Sequence, residues 1–160
     1  MRLKDEAIEQ LNERGVKVTE IAKLVYKLQE PYSDDLTLEE CVDSVYGVLE
    51  KREVQYTLLT GIALDKLVEE GAIKGSLAKL IRTDEPLYGV DESLAMAIAN
   101  IYGSVGFTSF GYLDKNKMGL MKKLDTEKED VNTFLDDLVA AIASAASARI
   151  AHEKKDAEGA

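Results

Sequence analysis

The sequence predicts an all-α fold: a single-domain multi-helix bundle of about six or more helices with a central buried helix. Three observations predict it. Apolar residues recur at i, i+3, i+4 and i+7 through much of the chain, which places them on one helical face. No stretch keeps the apolar–polar alternation of a half-buried strand, and there is no internal repeat. Residues 91–102 are nearly all apolar after their first positions and 131–151 are rich in alanine, so these two helices are expected to be the most buried.

The elements follow in order. Leu3, Ala7, Ile8 and Leu11 share a face, and Gly15 stops the first helix. Thr19 can cap the second, which carries Ile21, Leu24, Val25 and Leu28 until Pro31 ends it. A loop over 31–35 leads to Thr37-Leu-Glu-Glu40, a capping-box spacing, and to a helix bearing Val42, Val45, Val48 and Leu49. After a charged step at 51–53, a helix from about 54 to 70 presents Leu58, Leu59, Ile62, Leu67 and Val68. Gly71 to Gly75 is a break, 76–82 a short helix and 83–89 a loop. The apolar helix 91–102 comes next. The glycines at 103, 106 and 111 are expected to break it into a tight, packed turn region. A polar turn at 115–119 and a charged connection at 122–130 precede the last helix. The domain spans 1–152, and 153–160 reads as a flexible tail.

Composition narrows the function. The chain has 160 residues, enough for one proper core. Thirty acids against 20 bases give a formal charge of −10. A nucleic-acid binder should show a basic footprint, and none is visible. The same charge opposes tight adsorption on an anionic membrane but permits transient contact with a lipid surface. The uncharged run 93–113 is long enough to raise the question of a membrane span, but its glycines and hydroxyls favour a buried segment. The N-terminal segment lacks the apolar core of a signal peptide. Cys41 is the only cysteine and sits on an apolar face, which excludes an intramolecular disulfide and a Cys-rich zinc site. A cytoplasmic protein, peripheral at the membrane at most, is the expectation. Its apolar helical faces would also serve a homo-oligomer.

Three acidic interruptions of apolar sequence are the candidate chemistry: Asp91-Glu92, Asp114 with Lys117, and Asp136-Asp137. Carboxylates beside a core are costly unless paired, hydrogen-bonded or metal-bound. Asp91 and Glu92 can serve as helix-start acids or as hard oxygen ligands for Mg²⁺. Phe134, Leu135, Leu138, Val139 and Ile142 claim the inward arc of the last helix, so at least one of Asp136 and Asp137 must border the core. Asp114-Lys-Asn-Lys117 reads either as a solvated turn or as a carboxylate for a metal with a lysine point charge for phosphate. His152, the only histidine, lies near the chain end, and Ser44, Ser76 and Ser104 lack a histidine base.

These motifs together resemble the phosphatidylglycerophosphatase A family, over roughly the last two-thirds of the chain. The resemblance is carried by Asp84-Glu-Pro-Leu-Tyr-Gly-Val-Asp91-Glu92, Phe110-Gly-Tyr-Leu-Asp114-Lys-Asn-Lys117 and Leu135-Asp136-Asp137-Leu-Val. It is nearest to the soluble Gram-positive branch, the low-temperature-requirement C-like proteins. The resemblance implies an all-helical fold with one helix surrounded by others. It also implies Mg²⁺-dependent hydrolysis of phosphatidylglycerophosphate to phosphatidylglycerol and phosphate. Asp91, Glu92, Asp114, Asp136 and Asp137 then become metal-site residues, with Asp114, Asp136 and Asp137 also catalytic and Lys117 a contact for the headgroup phosphate. Three departures stand out. The family's membrane members have spanning helices, and this sequence offers no convincing one. Met118 replaces the family's proline, and the nearest counterpart of its N-terminal glycine motif is Thr60-Gly61 with Asp65. They motivate an alternative, a non-enzymatic regulatory or partner-binding protein that keeps the fold.

Overall fold

The computed structural model describes residues 1–115, 121, 124 and 130–159, apart from the side chains of 104, 105, 107, 114, 115, 158 and 159. Among the described residues there are α-helices and no strand. In chain order the helices are α1 (Leu3–Glu13), α2 (Val18–Gln29), α3 (Leu38–Leu49), α4 (Arg52–Glu69), α5 (Ser76–Arg82), α6 (Val90–Ala99), α7 (Ser104–Lys115) and α8 (Thr133–Gly159). Short 3₁₀ turns follow α2 at Glu30–Tyr32 and α6 at Asn100–Tyr102. The all-α expectation holds. So does the capping box, where the Thr37 hydroxyl accepts the Glu40 N–H at 3.2 Å. The second helix starts at Val18 after Lys17 rather than at a Thr19 cap.

Helix α8 is the axis of the bundle. Every residue from 131 to 148 is buried, and α2, α3, α4, α6 and α7 all pack against it. An all-round apolar helix can sit there because its alanines, among them Ala140, Ala141, Ala143, Ala145 and Ala146, let five neighbours approach closely. The few hydroxyls on it are satisfied. Ser144 donates to the Ala140 carbonyl at 2.7 Å, and Ser147 accepts the Gln29 amide at 2.7 Å. Ser44 of α3 donates to the Ala146 carbonyl at 2.8 Å. Cys41 lies fully in the core, where burial pushes its thiol up to about 11, so it is inert.

Three expectations are corrected. Residues 104–113 are not a packed turn region. Gly103, at φ 85°, breaks the chain after α6, and α7 then runs straight through Gly106 and Gly111. Packing against α8 and α6 outweighs the roughly 1 kcal/mol that each helical glycine costs. Gly106 is there for proximity, since a Cβ on it would stand 2.2 Å from the Ala99 carbonyl oxygen. Second, α6 is not buried all round. Asp91, Ala95, Ile98 and Ala99 form its inner stripe, while Val90 and Met96 are exposed. Third, α8 continues through the expected tail to Gly159, with residues such as His152 and Glu153 exposed. No helix among the described residues is long and apolar enough to cross a membrane.

Gly106→Ala should therefore destabilise the fold by about 1–3 kcal/mol through overpacking, despite alanine's better helix propensity. Urea denaturation measures it. Unchanged or higher stability would contradict the close α6–α7 crossing.

Candidate functional site

Asp91 and the pair Asp136-Asp137 lie on helices that meet at the end of the bundle where α8 begins. That beginning is set from outside the helix. The first N–H groups of any helix lack intrahelical partners. Here the Asp65 carboxylate, from α4, accepts the Phe134 N–H at 3.0 and 3.1 Å and the Leu135 N–H at 2.8 Å. Asn132, the residue in cap position, is turned elsewhere. Its carbonyl oxygen accepts from Arg14 at 3.2 Å and its amide donates to the Leu124 carbonyl at 3.5 Å. Arg14 also grips Glu69 with both guanidinium nitrogens, at 2.9 and 3.1 Å, and the Val131 carbonyl at 2.6 Å. Glu69 in turn accepts the Val131 N–H at 2.9 Å. The Thr133 hydroxyl donates to the Ile81 carbonyl of α5. The entry to α8 is thus tied to α1, α4 and α5 at once.

Helix α6 meets α8 at the same end. Gly89, at φ 72°, turns the chain into α6, and the Tyr88 ring just before it packs edge-on against Phe134, with centroids 6.0 Å apart. Gly61 of α4 fills the junction. A Cβ there would lie 2.5 Å from Leu138 Cδ1, 3.2 Å from Phe134 Cβ and 3.4 Å from Leu94 Cδ2. Three helices therefore converge on one small residue.

This packing places the expected site residues as follows. Asp136 and Asp137 are both buried, at 7% and 5% exposure, in the first turns of α8. The expectation that at least one borders the core is met by both. Asp91 is buried at 7% in the first turn of α6, and Glu92 beside it is exposed. Asp114 lies in the last turn of α7, which also packs on α8, but its side chain is outside the described residues. Lys117 lies wholly outside them. The fold thus brings Asp91 to the end of α8 that carries Asp136 and Asp137. Among the described side chains no three acids, histidines or cysteines group closely enough to form a metal site by themselves. A cleft of about 1230 Å³, lined by Lys27, Tyr32, Asp35, Tyr112 and Lys154, lies toward the other end of α8. Eighteen residues separate Lys154 from Asp136, about 27 Å along a helix, so that cleft is not where the expected chemistry lies.

Asp65, met in the sequence only beside Thr60-Gly61 and not among the candidate site residues, turns out to be central here. Its periodicity carries the signal, for Leu58, Gly61, Ile62 and Asp65 sit at i, i+3, i+4 and i+7 on the buried stripe of α4. The carboxyl has no exposure at all. Burial pushes it up to about 7, against the pull of the Phe134 and Leu135 N–H groups and of Arg14, and the charge of Asp84 adds to the rise. Burial, with the charges of Asp91 and Asp65, likewise raises the Tyr88 hydroxyl. Glu69 is lowered, chiefly by its hydrogen bond to Arg14.

Comparison with known proteins places this architecture. The sequence pattern described as Phosphatidylglycerophosphatase A matches residues 14–152. A low temperature requirement C protein from Listeria monocytogenes superposes with a TM-score of 0.94 at 49% identity, over 97% of this chain and 98% of that one. A Bacillus stearothermophilus protein of unknown function superposes at 0.92 with 55% identity, over 96% of each chain. The uncharacterized protein YutG of Bacillus subtilis (strain 168) is 52% identical over 149 residues, covering 92% of this chain and 90% of its own.

The Asp65 environment predicts a pH dependence with a definite sign. Between about pH 4 and 7 the folded protein holds a proton on Asp65 that the unfolded chain has released, so stability falls as pH rises through that window. The slope approaches about 1.4 kcal/mol per pH unit. The lowered carboxyls Glu69, Glu50 and Asp35 act with opposite sign, and only below their ordinary range. Urea denaturation of metal-free protein from pH 5 to 7 should show the decline in the wild type and lose it in Asp65→Asn. An equal slope in both would contradict it.

Proposed function

This chain belongs to the phosphatidylglycerophosphatase A family, and from that premise we propose that it is a Mg²⁺-dependent phosphomonoesterase. Its substrate in this reading is phosphatidylglycerophosphate, cleaved to phosphatidylglycerol and inorganic phosphate. The observation that carries the reading is the buried pair Asp136-Asp137 at the start of a central helix, with buried Asp91 on the helix packed beside it. Buried carboxylates are rare unless they are paired, hydrogen-bonded or metal-bound, because their desolvation is costly.

The donor chemistry fits Mg²⁺, which takes carboxylate oxygens and retains several waters. Asp91, Glu92, Asp114, Asp136 and Asp137 are the residues proposed to hold it. When bound, the ion supplies charge neutralisation at the phosphate and lowers the pKa of a coordinated water. The chain's own groups do the rest. In this reading Asp136 or Asp137 accepts the proton of the attacking water, as a general base. Lys117 is assigned to a phosphate oxygen, where an ammonium acts as a compact point charge. The packed junction of Tyr88, Phe134, Leu94 and Leu138 walls the inner side of the site with apolar surface, which strengthens electrostatic interactions beside it. A headgroup phosphate presented at a lipid surface is consistent with a protein that contacts the cytoplasmic face of a membrane transiently.

A second reading, a non-enzymatic regulatory or partner-binding member of the family, is favoured by Met118 standing where the family has proline. The two separate cleanly. Phosphate release from phosphatidylglycerophosphate in mixed micelles should require Mg²⁺ and stop with chelator. Asp136→Asn and Asp137→Asn, folded by circular dichroism, should lose about 100-fold or more of it. Full activity in both variants would remove the pair from the chemistry. An inactive wild type that binds no Mg²⁺ by calorimetry, with or without phosphate, would select the second reading.

A further inference from the structure

We propose that Asp65 is the positioning residue for the Asp136-Asp137 pair: its bonds to the Phe134 and Leu135 N–H groups set where α8 starts, and therefore where the two carboxylates stand. The proposal deepens the phosphatase reading and rests on it for its kinetic effect, although its geometric effect is independent of that reading.

Three observations carry it. A simple cap was available locally and is not used. Asn132 occupies the cap position and belongs to a residue type that caps well, yet its side chain is committed to Arg14 and Leu124. The fold instead buries a carboxyl with zero exposure, a costly choice for capping alone. Next, the source of the cap decides what is fixed. A local cap holds a helix start relative to its own backbone. Asp65 holds it relative to α4, and Gly61, one turn earlier on α4, touches Phe134 and Leu138 of α8 and Leu94 of α6. The same residue pair therefore fixes α8 against α6, the helix that carries Asp91. Finally, no hinge intervenes. Asp136 directly follows Leu135, and its own N–H makes the first intrahelical bond, to the Asn132 carbonyl at 2.8 Å. A shift of the capped turn must move both carboxylates with it. Displacement of a reacting group by about 1 Å can cost about 100-fold in rate.

The test uses the full chain with Asp65→Asn, Asp65→Ala and a remote control. The control is Val48→Ala, a core truncation on α3, which packs on α8 near Ala146. Two readouts are taken in each: the carboxyl ¹³C resonances of Asp136 and Asp137, and kcat and KM for phosphate release from micellar phosphatidylglycerophosphate with Mg²⁺. Both Asp65 variants should move the two carboxyl resonances and lower kcat about 10- to 100-fold with KM little changed. Asn, which retains one acceptor oxygen, should be milder than Ala. Val48→Ala should lose stability yet keep the resonances and kcat of the wild type. Unmoved resonances in the Asp65 variants, or the same kcat loss in Val48→Ala, would overturn the positioning role. A wild type without phosphate release would overturn the phosphatase reading instead, and the resonances would still decide for or against Asp65.

Discussion

A helix buried along its length cannot leave its first N–H groups to water, and that constraint organises this molecule. Helix α8 begins inside the bundle, and its acceptor comes from the side chain of Asp65 on α4. The consequences spread outward. Helix α4 must lie against α8 closely enough for a carboxylate to reach, and Gly61 allows it. The cap residue Asn132 is released to hold Arg14 and the Leu124 carbonyl, and Arg14 joins α1 to Glu69 at the end of α4. The chain entering α8 is consequently held on several sides immediately before it reaches Asp136 and Asp137.

The electrostatics of that end follow from the same arrangement. Asp65, Asp91, Asp136 and Asp137 are buried there, and the charge of Asp84 is felt by Asp65. Arg14, whose charge is felt by Asp65, is itself paired with Glu69. A carboxylate in partly dry surroundings is costly, and a divalent cation is one partner that offsets that cost. In the proposed function this is the physical reason for a metal at the start of α8, with phosphate chemistry built around it. The cleft toward the other end of the helix differs, for lysines line it beside Asp34 and Asp35, and Lys154 pairs with Asp35.

Much of the fold was legible because helix period and capping are local properties. The apolar stripes, the Thr37 cap, the breaks at Gly15 and Gly71 to Gly75, and the buried C-terminal helix all follow from spacing alone. Helix α7 was not legible, because its glycines oppose helix locally and only the contact of Gly106 with Ala99 explains one of them. The contacts of Arg14, Gly61 and Asp65 were not legible, because they are tertiary and no local signature announces them. Of the candidate site, the burial of at least one of Asp136 and Asp137 could be read from their apolar neighbours, and both are buried. Asp91 looked as much like a helix-start acid as a ligand, and it occupies that first-turn position while also being buried. Asp65 was noticed only beside Thr60-Gly61, and its role as the cap of α8 was not legible because it acts through a tertiary contact.

The most direct test is crystallographic. Mn²⁺ substitutes for Mg²⁺ and can be located by its anomalous scattering in crystals grown with it. A peak should appear between the first turns of α6 and α8, at about 2.0–2.2 Å from oxygens of Asp91 and of Asp136 or Asp137. A peak confined to the cleft beside Asp34 and Asp35, or none at saturating Mn²⁺, would contradict a metal-phosphate site at the start of the central helix.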